Sequence, residues 1–424
     1  MKKKIFIFIT FITIIIIVAI LNIDNINSWR FEYRIRKYGQ PINIETGLIN
    51  NEFFGISSNN SNSTKTREGI NEAINYASEN NIEYIKLEKG TYLIDSSLLY
   101  QGYRRSILLK SNLTFDLNGS TIILEENSYS SYGVISIWNC ENVVICNGTL
   151  IGDRELHNYI GSTTHEWGMG IDIRGSKNIK ITNLQIKKMT GDGIYISERN
   201  DNTEYVSISN CNISNNRRQG ITIITGKRID IFQNEIHDIE GIAPRIGIDL
   251  EPNEVNQTIE DVNIYENKLY TFASLKAIEL HNNIYRIKIY ANELYGKIMI
   301  YDSRENVDVY NNNITDGGVY AIILDKYIET HEMKNVTIEN NYLKNSKIAL
   351  NRSENVKVIS NNIEDGNIAI INSDVELIGN TIVNTGELPL EYAILYRDTE
   401  NKKIFKENNI VQGIFDQIEK IEKT

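Results

Sequence analysis

The chain has 424 residues and a net charge of −11, and 41% of it is hydrophobic with only 4 prolines. That composition excludes an extended disordered protein. The acidic balance, with a pI near 5.2, speaks against a partner tracked through its phosphates, so no nucleic acid is expected.

In chain order, Lys2, Lys3 and Lys4 precede an apolar run from Ile5 to Leu21, interrupted by Thr10 and Thr13. The run sits at the lower limit for a spanning helix and is slightly long for a signal-peptide core. No A-x-A site follows. Residues 1–22 are therefore expected to be a signal anchor touching the membrane through residues 5–21, with a cleaved signal peptide as the alternative. Either way the bulk of the chain is expected outside the cell, anchored or secreted. Arg30, Arg34, Arg36 and Lys37 break the positive-inside pattern and suit an anionic envelope surface.

Residues 23–63 read as a linker, basic and then rich in Ser and Asn. Residues 64–106 read as a cap. Ile70, Ala73, Ile74 and Ala77 share one helical face, Thr66 is a candidate N-cap, and "YIKLEKGTYLI" supplies two short strands.

Residues 107–400 repeat, and residues 401–424 read as a C-terminal cap or tail. The unit apolar-x-x-Asn-x-apolar recurs as "IFQNEI", "IYENKL", "IYANEL", "VYNNNI", "IENNYL", "VISNNI" and "LIGNTI". Its Asn residues (234, 267, 292, 312, 341, 361, 380) are spaced by 19 to 33, the period of a solenoid. A second strand of the form x-Ile-x-Ile accompanies each unit: "GIDIRG", "GIYISE", "GITIIT", "GIDLEP", "AIELHN". Strand, corner, strand, Asn turn, strand is one coil of a single-stranded right-handed parallel β-helix. Asn tolerates a left-handed corner, and stacked amides bond along the axis. Cys140, Cys146 and Cys211 form no metal-spaced cluster and read as buried free thiols.

Alternation sends Ile171/Ile173, Ile194/Ile196, Ile221/Ile223 and Ile248/Leu250 inward. One outward row then reads Asp172, Tyr195, Thr222, Asp249, Glu279. The next reads Arg174, Ser197, Ile224, Glu251, His281, Tyr301, Asp325. An outward residue such as Tyr195 is expected to cost under about 1 kcal/mol to replace. In later coils the first row turns neutral, through Met299, Ile323 and Ala349. Gly170, Gly193, Gly220 and Gly247 precede the strands, and either ease a tight corner or open a trough for a ligand.

Charged, polar and aromatic residues gather around these glycines. They are His165, Glu166, Trp167, Asp172, Arg174, Asp192, Arg217, Arg218, Gln219, Arg245, Asp249, Glu251, Glu279 and His281. An exposed indole stacks on a sugar face, while guanidinium and carboxylate groups bond hydroxyls. A polysaccharide partner follows. The isolated His157, His237 and His331 read as structural.

"TKTREGINEAINYASENNIEYIKLEKGTYLI", "LKSNLTFDLNGSTI", "ENVVICNGTLIGDR", "GSKNIKITNLQI" and "GDGIYIS" resemble the pectate-lyase/polygalacturonase superfamily of right-handed β-helices. The resemblance implies the fold and an activity on polysaccharides. Polygalacturonases present N-T-D, D-D and G-H-G before successive strands. Asp192 of "TGDGI" matches the first motif, whereas Arg218 and Gln219 fill the second and Ile246 replaces the third motif's His.

The leading functional expectation is therefore a glycoside hydrolase with a relocated pair, Asp249 and Glu251, assisted by Asp192. As residues i and i+2 of one strand they share a face about 6.5–7 Å apart, near the inverting range. Asp249 with Glu279, on adjacent coils, forms a closer alternative. A uronic-acid polymer lyase or epimerase would use Arg217, Arg218 or Arg245, with Ca²⁺ on Asp residues as a possible addition. A non-catalytic glycan-binding surface protein is the third expectation. No cofactor or metal is expected for the hydrolase.

Overall fold

A computed structural model describes residues 28–272, 276–301, 305–322, 334–387 and 389–423. The apolar run Ile5–Leu21, and with it the anchor or signal expectation, lies outside these residues, as do Asp325 and His331. No described helix is long and apolar enough to cross a membrane.

Isoleucine stacks set the architecture. Ile135, Ile171, Ile194, Ile221, Ile248, Ile278 and Ile298 pair in register from coil to coil, and all are fully buried. A β-branched side chain fits the pleated surface, and burying each one contributes about 1.5–3 kcal/mol. The described strands hydrogen-bond almost wholly in parallel to the equivalent strand one coil away, forming a β-helix around one continuous core. The exception is the hairpin pairing Leu98–Tyr100 with Tyr103–Leu108.

The open N-terminal end is closed by the helix Ser63–Glu79, whose Ile70, Ala73, Ile74 and Ala77 face the core. Its Asn71 amide donates to Ser106 O (2.7 Å), and its side-chain oxygen accepts from Leu108 N (2.8 Å). A strand edge that would invite another chain is thereby covered. Thr66 is not the N-cap; Asn62 holds that position, and Thr66 lies in the first turn with its hydroxyl donating to Ser61 O. At the other end, residues 404–422 continue the stack as a further coil paired with residues 375–397.

The Asn turn does two jobs with two residues. Asn234, Asn267, Asn292, Asn312, Asn341, Asn361, Asn380 and Asn409 are joined by side-chain amide bonds of 2.8–3.1 Å. The left-handed corner belongs instead to the preceding residue, for example Gln233 (φ 54°), Glu266 (φ 54°) and Ala291 (φ 55°). The ladder begins at Cys211, whose N–H donates to Asn234 Oδ1 (3.0 Å). All three cysteines are free and buried.

Candidate functional site

The strands Trp167–Arg174, Asp192–Ser197, Gln219–Ile223, Ile246–Leu250 and Lys276–Leu280 lie side by side and carry the groove. The first outward row is as alternation gives it: Asp172, Tyr195, Thr222, Asp249, Glu279, Met299. Beyond Met299 the next member is Tyr320, followed by Ala349. Tyr320 thus holds the place expected for Ile323, which lies outside the described residues.

A second outward set escapes simple alternation. Asp192 has the parity of the inward Ile194, yet it accepts bonds from the outward Thr222 Oγ1 (2.9 Å) and from Arg218 Nη1 (3.1 Å). The glycine between them explains the switch. A Cβ on Gly193 would meet Ile213 Cγ2 and Gly220 O at 2.7 Å, and one on Gly220 would meet Ile236 Cγ2 at 2.7 Å. These glycines thus relieve a tight inner corner rather than open a trough. The corner turns Asp192 and Gln219 outward.

Arg218 is the hub. It lies 3.1 Å from Asp192, 3.4 Å from Glu251 and 3.8 Å from Glu166, with its guanidinium 5.8 Å from the Trp167 ring centroid. Burial opposes its charge, but Asp192 and Glu251 more than compensate and raise its pKa. Trp167 is 41% exposed and meets Tyr195 edge-on. Tyr195 is itself buried against Met169 and Ile224 in a small apolar cluster outside the main core, so it is not a solvated outer residue.

Asp249 is sealed beneath this surface. Its Oδ2 accepts from the Gln219 amide, and its Oδ1 has no hydrogen-bond partner. Burial, then the charge of Glu251, pushes its carboxyl well above the usual range. Burial likewise lifts Asp192 to about 6, against the pull of Arg218. His281 Nε2 stands 3.1 Å from Glu279 Oε1 and 3.6 Å from Asp249 Oδ1. Burial works against the imidazolium, but Glu279 and Asp249 outweigh it and raise its pKa. Glu279 is held below the carboxylate range despite burial, by His281 and by Lys276 at 2.7 Å.

Asp249, Glu251 and His281 offer ligand-type atoms all within 4.8 Å of one another. The Asp249 and Glu251 carboxyls thus share a face and bring one oxygen each beside the same histidine. An imidazole among the donors departs from the all-oxygen shell that Ca²⁺ takes. Arg218 already supplies positive charge at this point.

The remaining candidates separate from this centre. Asp172 is buried, bonded to Arg105 (2.8 Å), Arg174 (2.8 Å) and the Trp138 indole (3.1 Å). His165 is also buried. With His157 it forms a chain running from Asp153 (2.7 Å) through the two rings (2.8 Å) to Ile160 O (2.8 Å). His157 is thus not isolated, and neither ring faces a ligand. Arg217 donates to Thr164 O (2.8 Å) and lies over Tyr159, pinning the loop that carries His165. Arg245, partly buried, stands immediately before the strand Ile246–Leu250. The sequence reading missed Lys276, Arg105 and Arg199, which sit off the repeating outward pattern, and Trp138, which precedes Arg174 in the second outward row.

Residues 169–327 match the family model described as right handed beta helix region. The SPbeta prophage-derived uncharacterized protein YorA of Bacillus subtilis (strain 168) is 34% identical over 218 residues, 47% of this chain and 37% of that protein. The chain thus spans well under half of that relative's length. Among solved structures, the Azotobacter vinelandii mannuronan C-5 epimerase AlgE4 A-module aligns with TM-score 0.51 at 14% identity, covering 88% of this chain and 98% of that one. A mutant tailspike protein of E. coli bacteriophage HK620, in complex with pentasaccharide, aligns with TM-score 0.54 at 12% identity, covering 84% and 74%. With the coil register described above, these likenesses give the chain the right-handed parallel β-helix fold.

Proposed function

We propose that the chain is a glycan-processing protein of the cell exterior whose groove hydrolyses a polysaccharide at Asp249 and Glu251. The observation that carries this reading is the contrast between two carboxyls of one strand. Glu251 is partly exposed and ion-paired with Arg218, whereas Asp249 is buried with one oxygen unpaired, and burial pushes its carboxyl well above the usual range. Environments that push two carboxyls apart assign one as acid and the other as base or nucleophile. An oxygen of each carboxyl lies within 4.8 Å of one on the other, close enough for both to reach one glycosidic bond, and we read the pair as acid and nucleophile of a retaining hydrolase.

In this mechanism a sugar stacks on Trp167 and its hydroxyls meet Arg218 and Glu166. The Asp249 proton reaches the glycosidic oxygen through His281, whose ring is 26% exposed beside Asp249 Oδ1. The bond to the leaving oxygen breaks as Glu251 forms an ester with the anomeric carbon. Water then hydrolyses that ester and returns the proton. Asp192 holds Arg218 in place. The glycan complex of the tailspike relative supports a glycan in such a groove. Residues 5–21 would anchor the protein to the membrane, or be removed to release it.

The test is reducing-end release from neutral and acidic polysaccharides, with absorbance at 235 nm followed for unsaturated products. Hydrolysis with retained anomeric configuration, lost in Glu251→Gln and Asp249→Asn, is the expected result. Unsaturated ends would establish a lyase instead. Binding without any turnover would establish a glycan-binding surface protein.

A further inference from the structure

N-terminal to the Arg218 centre the groove carries a second cluster of different chemistry. Arg105, Arg174 and Arg199 converge on the Trp138 indole, with guanidinium carbons 4.4, 5.4 and 4.3 Å from its centroid. The same three lie 5.3, 5.8 and 5.7 Å from the ring of Tyr103, which is 42% exposed. Among the described residues the ion-pair partner of this cluster is Asp172, which serves Arg105 and Arg174. Arg199 instead donates to the neutral Gln101 Oε1 (3.0 Å). Three cations thus face one carboxylate, in a protein whose net charge is −11.

The shortage of negative charge is visible at Arg105. It is 1% exposed, and its Nε finds no hydrogen-bond partner. Burial, with the charges of Arg174 and Arg199, draws its pKa down to about 10 against the pull of Asp172. By contrast, Arg218 meets three carboxylates. The rows connect the two clusters: Arg174, Ser197, Ile224 and Glu251 occupy successive coils, which places Arg174 about 14 Å from Glu251 along the axis. That interval spans several sugar units of a polymer lying in the groove.

We propose that Arg105, Arg174 and Arg199 form a subsite for an anionic substituent of the polymer, a carboxylate or a phosphate, with Tyr103 as the platform for its sugar. The proposal deepens the glycan reading of the groove and rests on it. Guanidinium forks bond oxyanions in pairs, and a partly desolvated setting strengthens the attraction. Arg105 and Asp172 form the buried base that positions Arg174. Arg174 and Arg199, both partly exposed, meet the ligand.

Affinity electrophoresis of the full chain through gels containing polygalacturonate, poly(glycerol phosphate) or a neutral glucan tests this. Retardation by an anionic polymer, at least ten-fold weaker in Arg199→Glu and in Arg174→Gln and suppressed by salt, is expected. Polygalacturonate alone would identify a carboxylate, and poly(glycerol phosphate) alone a phosphate. Retardation by neither, equal retardation by the neutral glucan, or unchanged binding in Arg199→Glu, a partly exposed position that tolerates charge, would overturn it. Glu251→Gln separates the two readings. If it binds anionic polymer normally and no polymer is cleaved by the wild type, the subsite stands and the hydrolase falls. Cleavage of a neutral glycan that is indifferent to Arg199 would do the reverse.

Discussion

Coils before and after residue 290 share one backbone plan but differ in what they show the solvent. From Asp172 to Glu279 the first outward row carries three carboxylates, and Arg218, His281 and Lys276 crowd around it. From Met299 onward the same row reads Tyr320, Ala349, Ala369 and Leu395. The amide ladder runs through both halves, from Asn234 to Asn409. Inward isoleucines hold both halves together, so the outer face is free to differ. The fold is a property of the repeat, whereas the site is a local departure from it.

The sharpest way to break this contrast is to remove one carboxylate from each half. Glu251→Gln should lower turnover by 10²–10⁴-fold, about 3–5 kcal/mol in the barrier, with the melting temperature nearly unchanged. Glu364→Gln, which loses a surface pair with Lys344, should leave turnover as it was. A comparable fall in both would locate the chemistry elsewhere. For stability the asymmetry reverses. Asn312→Ala removes amide bonds to Ile289 O, Tyr310 O and Asn341 Oδ1, and strands the buried Asn292 backbone N–H. A loss of about 3 kcal/mol is expected from denaturant titration, with activity at the distant groove retained.

The site half should also carry the pH dependence. Burial lifts Asp192 to about 6 from 3.8, with Arg218 and Thr222 opposing and Glu251 adding to the shift. The folded chain therefore holds this proton more tightly than the unfolded one. The resulting stability is present below about pH 4 and is lost as pH rises through 6. In Asp192→Asn the drop in stability between pH 4 and pH 7 should shrink by about 2–3 kcal/mol, measured by thermal unfolding at both pH values. An unchanged drop would mean that Asp192 does not titrate in this range.

Much of the fold was legible because each coil repeats the same constraint. The isoleucine alternation and the Asn period are set by parallel register, and both appear in the structure as read. What escaped were features at which the repeat is interrupted. Gly193 turns Asp192 outward against its parity, which no alternation rule carries. Arg105 lies 67 residues before Asp172 in a hairpin, and Arg199 sits in a loop, so neither belongs to a row. The pairing of His157 with His165 likewise needs a loop to fold back on itself.

Tyr195 gives the smallest effect and the finest test of how far the site half departs from the repeat. Alternation alone makes it an outward residue whose loss costs little. The structure buries it against Met169 and Ile224, under the edge of Trp167 and 5.0 Å from the Arg174 guanidinium. Tyr195→Ser should therefore cost about 2 kcal/mol, well above an ordinary surface change. It should also loosen Trp167 and Arg174 together, weakening glycan binding more than it lowers the rate of the bound complex. The matching change in the later coils is Tyr320→Ser, at the same row position beside Met299 and Ala349, with the Lys297 and Lys347 ammoniums 5.3 and 5.5 Å from its ring in place of an indole and a guanidinium. It should cost less and leave binding alone. Equal losses in the two variants would mean that the outer apolar cluster is a general feature of the stack rather than part of the groove.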